Sequence, residues 1–76
     1  MKAFKTWIID KLEYEPRQID LANELGEVKG ELVRKWFAGQ AYPNANNCIK
    51  LAAFLNMTPK EVQKVVLECR IKDLEN

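Results

Sequence analysis

The stretch Gln18-Ile19-Asp20-Leu21-Ala22-Asn23-Glu24-Leu25-Gly26-Glu27-Val28-Lys29-Gly30-Glu31-Leu32-Val33-Arg34-Lys35-Trp36-Phe37-Ala38-Gly39 decides the fold. Leu21, Ala22 and Leu25 fall on one stripe of a 3.6-residue period, and Val33, Trp36 and Phe37 repeat that stripe further on. The spacing predicts a helix over about 17–25, a glycine turn at Gly26, and a second helix from Lys29 or Gly30 to Gly39. Val28, the apolar residue of the turn, is placed to plug the angle between the two helices. On the second helix Glu31, Lys35 and Ala38 point away from the apolar face, with Arg34 on its flank. That outward face asks for a partner.

On the N-terminal side, residues 3–14 read as a further helix with Phe4, Trp7, Ile8 and Leu12 on one stripe and Ile9 beside it. Pro16 ends that helix or opens the next. On the C-terminal side, Gly39 to Asn47 is the one long polar segment, and Asn44 suits the N-cap of a fourth helix. That helix carries Cys48, Ile49, Leu51, Ala52 and Leu55 and closes at Asn56. The start of the last helix, spanning about 59–74, is the clearest in the chain. Thr58 at the N-cap, Pro59 at the first helical position and Glu61 at the third form a capping box. Val62, Val65, Val66 and Cys69 give this helix one apolar stripe, and Leu67, Ile71 and Leu74 give it another. A small core needs one stripe, so the surplus predicts either a second surface, such as another subunit, or a terminal helix with scattered exposed apolar residues.

Seventy-six residues bound the chain to one domain near the lower size for unaided folding. Lys5, Asp10 and Lys11 interrupt the N-terminal apolar residues, so no signal peptide is expected. No run approaches the roughly 18 apolar residues of a membrane span, and a soluble, cytoplasmic protein is expected. Cys48 and Cys69 match no metal-ligand spacing and read as buried, reduced thiols. Without histidine the chain lacks both the usual zinc ligand and the commonest acid–base agent at neutral pH. No metal, cofactor or enzymatic activity is expected. The net charge is only +1, but acidic residues outnumber basic ones over 1–28, whereas 32–60 holds Arg34, Lys35, Lys50 and Lys60 and no acid. A near-neutral total thus hides a positive face.

In order along the chain, Gln18, Leu21, Ala22, Leu25 and Gly26 resemble the Q-x-x-L-A-x-x-L-G run of phage-repressor and Cro-like helix-turn-helix domains, the XRE type. Val33, Trp36, Gly39 and Pro43 resemble that family's hydrophobic-x-x-Trp-x-x-Gly-x-x-x-Pro run, and Ile49, Leu51, Ala52 and Leu55 its fourth helix. The match covers about residues 17–62. Two departures stand out. Between Gly26 and Val33 there is one residue more than in the family pattern, placed at Glu27, and Arg17 stands where a small hydroxyl N-cap is usual.

The resemblance implies an all-α, lambda-repressor-like bundle of five helices. It further implies a helix-turn-helix over about 17–38 whose second helix enters the major groove of double-stranded DNA, with members binding as dimers. Residue by residue, the base-reading positions fall on Lys29, Gly30, Glu31 and Lys35, with Arg34 beside them, and Gln18 matches a position near phosphate. Lys35 can donate to guanine O6 and N7, and Glu31 can accept from cytosine N4. The bland alternative is a surface ion pair between Glu31 and Lys35. The segment from Gly39 to Ile49 has no Lys or Arg, so phosphate contact there rests on the neutral donors Gln40, Tyr42, Asn44, Asn46 and Asn47, whose bland alternative is plain loop and capping residues. A shallow salt dependence follows, with two or three cationic contacts per subunit. Trp36 and Trp7 read as core residues rather than stacking platforms, because they share the apolar faces.

These features describe a homodimeric transcriptional regulator, dimerised through Leu67, Ile71 and Leu74. The rival reading is a helical protein-interaction module, an antitoxin or adaptor, that engages a regulatory protein partner through its last helix. Acidic Glu27 and Glu31 beside the presumed reading helix favour the rival.

Overall fold

The structure, a computed structural model, describes residues 2–75 as five helices: α1 (Ala3–Leu12), α2 (Gln18–Leu25), α3 (Gly30–Ala38), α4 (Ala45–Leu55) and α5 (Pro59–Glu75). The chain is all-helical, as expected. Among the described residues, no helix is long and apolar enough to cross a membrane. The principal contacts close a ring: α1 packs on α3, α3 on α2, α2 on α4, α4 on α5, and α5 back on α1. Phe4 and Ile8 of α1, Leu21 of α2, Val33 and Trp36 of α3, Leu51 of α4 and Val62 of α5 all reach the centre of this ring and are sealed from solvent.

Local chemistry sets where each helix stops. α1 ends two residues earlier than the apolar pattern suggests. Pro16 disfavours helical backbone at Glu15, so the chain must leave the helix before it. It does so at Glu13, which takes a left-handed φ of 63° and donates its N–H to Ile9 at 2.7 Å. Lys5 reaches Glu15 at 3.5 Å and holds the departing segment against α1. Arg17 is the N-cap of α2 rather than its first residue. It offers no side-chain cap; its guanidinium instead forks onto Asp20 at 2.7 and 3.2 Å.

The turn between α2 and α3 differs from the expected left-handed glycine. Gly26 has φ 75° with an extended ψ of 132°, a combination that glycine adopts without steric cost. The left-handed residue is its neighbour Glu27, at φ 55°. Two successive positive φ angles turn the chain while α2 and α3 stay packed. For a non-glycine residue that conformation costs on the order of 1 kcal/mol.

Downstream, Asn44 caps α4 as expected, its Oδ1 accepting from Asn47 N–H at 2.9 Å, and Asn56 closes that helix in a left-handed conformation at φ 58°. Ile49, grouped with the apolar residues of α4 on pattern alone, is 53% exposed. At the start of α5, Thr58 Oγ1 accepts the Glu61 N–H at 3.2 Å and donates to the Glu61 carboxylate at 2.9 Å. Both cysteines are buried and free, and burial pushes both thiols upward from their ordinary pKa. Trp7 is half-buried against the core, its ring centroid 5.9 Å from that of Phe4.

A polar clamp fixes the end of α5. Asp73 accepts from the backbone N–H of Ala3 at 3.1 Å and from the hydroxyl of Tyr42, so one carboxylate ties α5 to the start of α1 and to the loop before α4. Burial works against the Asp73 charge, but the bonds from Tyr42 and Ala3 outweigh it and hold the carboxyl below its usual range. Burial first, and then the bond to Asp73, push the Tyr42 phenol up to about 12. The clamp therefore contributes fully between two limits. As pH falls below about 4, Asp73 protonates and its contribution is lost through the depressed folded value; as pH rises above about 10, Tyr42's contribution is lost on the way to its raised one. Asp73→Ala is expected to lower unfolding free energy by about 1–2 kcal/mol at neutral pH in urea titrations, with the difference shrinking toward pH 3. An undiminished difference at pH 3 would show that the carboxylate's charge is not what the clamp uses.

Candidate nucleic-acid interface

The amphipathic pattern of α3 sorts its residues onto two sides. Val33, Trp36 and Phe37 go inward against α1 and α2, while Glu31, Arg34 and Lys35 are exposed. Lys29 is the N-cap, with extended backbone and no side-chain cap, and its carbonyl accepts from Leu32 at 3.0 Å. The first N–H groups of α3 therefore remain without intrahelical acceptors, next to an exposed lysine.

Glu31 pairs with Arg34 rather than with Lys35. Arg34 Nη2 and Nε donate to the two Glu31 oxygens at 2.6 and 3.0 Å, a bidentate fork along one turn of helix. The hydrogen bond from Arg34 holds the Glu31 carboxyl below its usual range, so the carboxylate stays ionised. Lys35 has no ion pair among the described residues. The outward face of α3 is thus a self-neutralised Glu–Arg pair beside one free ammonium.

Gly30 plays a different part from the open approach that its position suggests. A Cβ added there would lie 3.4 Å from Ile19 Cδ1, so the space beside Gly30 is filled by α2. Its outward contribution is its backbone N–H. Gln18 is exposed at the first position of α2. Gln40 is exposed, and its backbone N–H closes the end of α3 on the Lys35 carbonyl at 2.9 Å. Asn44 is exposed but uses its side-chain oxygen for capping. Tyr42 turns toward α5: its hydroxyl donates to Asp73 and the Arg70 guanidinium sits 5.6 Å from its ring centre. The polar loop is therefore split, with Gln40 and Asn44 presenting outward and Tyr42 committed to the clamp.

α3 and α4 are neighbours that do not pack firmly on one another, and an open crevice of about 390 Å³ lies between α3 and the first turn of α4. It is lined by the half-buried Val28 and Leu32, by the charged Glu27, Lys29, Glu31 and Lys35, and by Asn47. Asn47 is 8% exposed, and its carboxamide makes no hydrogen bond among the described residues. Among the described residues, Trp36 Nε1 is the one sealed side-chain polar atom without a partner. The Asn47 amide is thus not sealed, and the surface it retains opens into the crevice. Pattern reading placed Asn47 among general loop donors and Val28 in the helix angle. Neither position signalled a crevice, because it depends on how α3 and α4 diverge. The Tyr42–Asp73 bond did have a signal: Asp73 continues the buried Val62, Val66 and Cys69 stripe, and an acid on a buried stripe needs partners.

No protein-family model, curated protein or solved structure matches the chain.

Proposed function

We propose that this protein is a sequence-specific double-stranded DNA-binding regulator of the repressor or Cro-like kind, with α3 entering the major groove. The observation that carries the reading is the two-sided α3. Its inner face is spent on the core, leaving an exposed outer face of Glu31, Arg34 and Lys35 beside Lys29 and uncapped helix N–H groups. In that geometry Lys35 donates to guanine, Glu31 accepts from cytosine N4, and Gln18, Gln40 and the Lys29–Gly30 helix start meet phosphates. Tyr42 serves by holding the loop in place. The test is selection of bound duplexes from a random library at moderate salt. A palindrome with half-sites about ten base pairs apart is expected; no enrichment by folded protein would overturn the reading.

A homodimer through α5 belongs to the same proposal. Leu67, Ile71 and Leu74 are 58%, 48% and 86% exposed and lie on one outward face of the helix. Lys64 and Glu75 flank that face, so an antiparallel two-fold pairing across Leu67 and Ile71 sets Lys64 against the partner's Glu75. Sedimentation is expected to give a dimer at tens of micromolar protein, and Leu67→Glu with Ile71→Glu is expected to give a folded monomer. A single monomeric mass for the unaltered chain would remove this element.

The same exposed stripe favours the second reading, a protein-interaction module in which α5 engages a regulatory protein partner. Under that reading the charge of α3 is irrelevant to partner capture, which separates the two.

A further inference from the structure

We infer that the crevice between α3 and α4 is a thymine-reading pocket, in which the C5-methyl group packs on Val28 and Leu32 and O4 accepts from the Asn47 carboxamide. The inference rests on the DNA-binding reading of α3 and names what that surface selects.

The outward face of α3 is charged, yet the crevice beside Glu31 and Lys35 also holds the half-buried Val28 and Leu32 and the Asn47 carboxamide, which has no hydrogen-bond partner among the described residues. The donors of that amide are not sealed, so they are open to an acceptor that enters the crevice. An apolar surface at a DNA-facing position has one natural counterpart. Among the groups that base pairs display in the major groove, the thymine methyl is the apolar one, and O4 lies next to it as an acceptor. The crevice offers the complementary set in the same order: an apolar surface and, beside it, a donor.

The position is also appropriate. The first half of a reading helix is the part that approaches base edges, and Glu31, Leu32 and Lys35 belong to the first two turns of α3. Guanine presents the acceptors O6 and N7, and cytosine presents the N4 donor with no methyl beside it, so neither fills the surface of Val28 and Leu32. Adenine satisfies an asparagine but offers nothing to that apolar surface. Lys35, which also lines the crevice, remains free for a neighbouring guanine.

The test replaces thymine by deoxyuridine, which removes the methyl group and leaves O4 and the base pairing unchanged. Duplexes carrying the selected site are synthesised with each thymine substituted in turn, and affinities are measured by electrophoretic shift with the full chain. One thymine per half-site is expected to show about a fourfold loss, and substitution in both half-sites about a 15-fold loss. The loss is expected to shrink in Val28→Ala, since part of the apolar surface that the methyl meets is then gone. Three results would overturn the pocket: a selected site without a fixed thymine, uniformly neutral uridine substitutions, or a uridine effect unchanged in Val28→Ala. Each of them leaves DNA binding standing. Failure of folded protein to retain any duplex would remove the DNA-binding reading and the pocket together.

Discussion

Trp36→Ala is expected to lower the unfolding free energy by about 3–5 kcal/mol, which takes most of the stability from a domain this small. The indole is fully buried and meets Phe4 edge to face, with ring centroids 6.0 Å apart, where α1 and α3 cross. Truncation would open a cavity lined by side chains from several helices, and helices of 8–17 residues closed in a ring have little freedom to collapse into it. Trp36→Phe should be much milder, for a specific reason. Trp36 Nε1 is buried without an acceptor, so phenylalanine loses some packing but also removes an unsatisfied donor. Urea titrations followed by circular dichroism are expected to place Trp36→Phe closer to the unaltered chain than to Trp36→Ala. A Trp36→Ala protein with an unchanged midpoint that had lost only ligand binding would make Trp36 a contact residue instead.

The helices were legible because each apolar stripe has one period and recognisable ends. Asn44, Asn56, Thr58 and Glu61 announce their roles by residue type, since capping depends on local side-chain chemistry. The turn was only half legible. Sequence places a turn at Gly26, but it does not say whether glycine or its neighbour takes the left-handed conformation. In the structure Gly26 adopts the rarer extended ψ and Glu27 the left-handed backbone.

The exposed face of α3 followed from its periodicity, whereas its internal pairing did not. Glu31 had Arg34 at i+3 and Lys35 at i+4 as competing partners, with similar intrinsic preference. The planar guanidinium fork, matching both carboxylate oxygens at once, accounts for the choice of Arg34. Long-range contacts were the least legible. The Asp73 clamp joins residues 70 apart in the chain, and the crevice exists because α3 packs on α1 and α2 while α4 packs on α2 and α5.

The Glu31–Arg34 pairing changes what charge removal should do to binding. Lys35→Ala deletes a free, exposed cation, so stability is expected to stay within about 0.5 kcal/mol while affinity for the selected site falls on the order of 10- to 100-fold. Arg34→Ala deletes a cation that already neutralises Glu31, and it leaves an uncompensated carboxylate facing the phosphates. Its loss should exceed that of an ordinary phosphate contact, and Glu31→Gln in the Arg34→Ala background should recover part of it. The double variant Arg34→Ala/Lys35→Ala is expected to abolish retention at moderate salt. For the unaltered dimer, two or three cationic contacts per subunit imply a slope of log K against log salt of about −4 to −5, and Lys35→Ala, which removes a base contact, should leave it nearly unchanged. A slope beyond about −8 would mean that cations outside α3 dominate the contact. Retention untouched by the double variant would move the DNA contact away from α3. No DNA retention by the unaltered chain, with partner capture intact in the double variant, would instead assign the function to the outward face of α5.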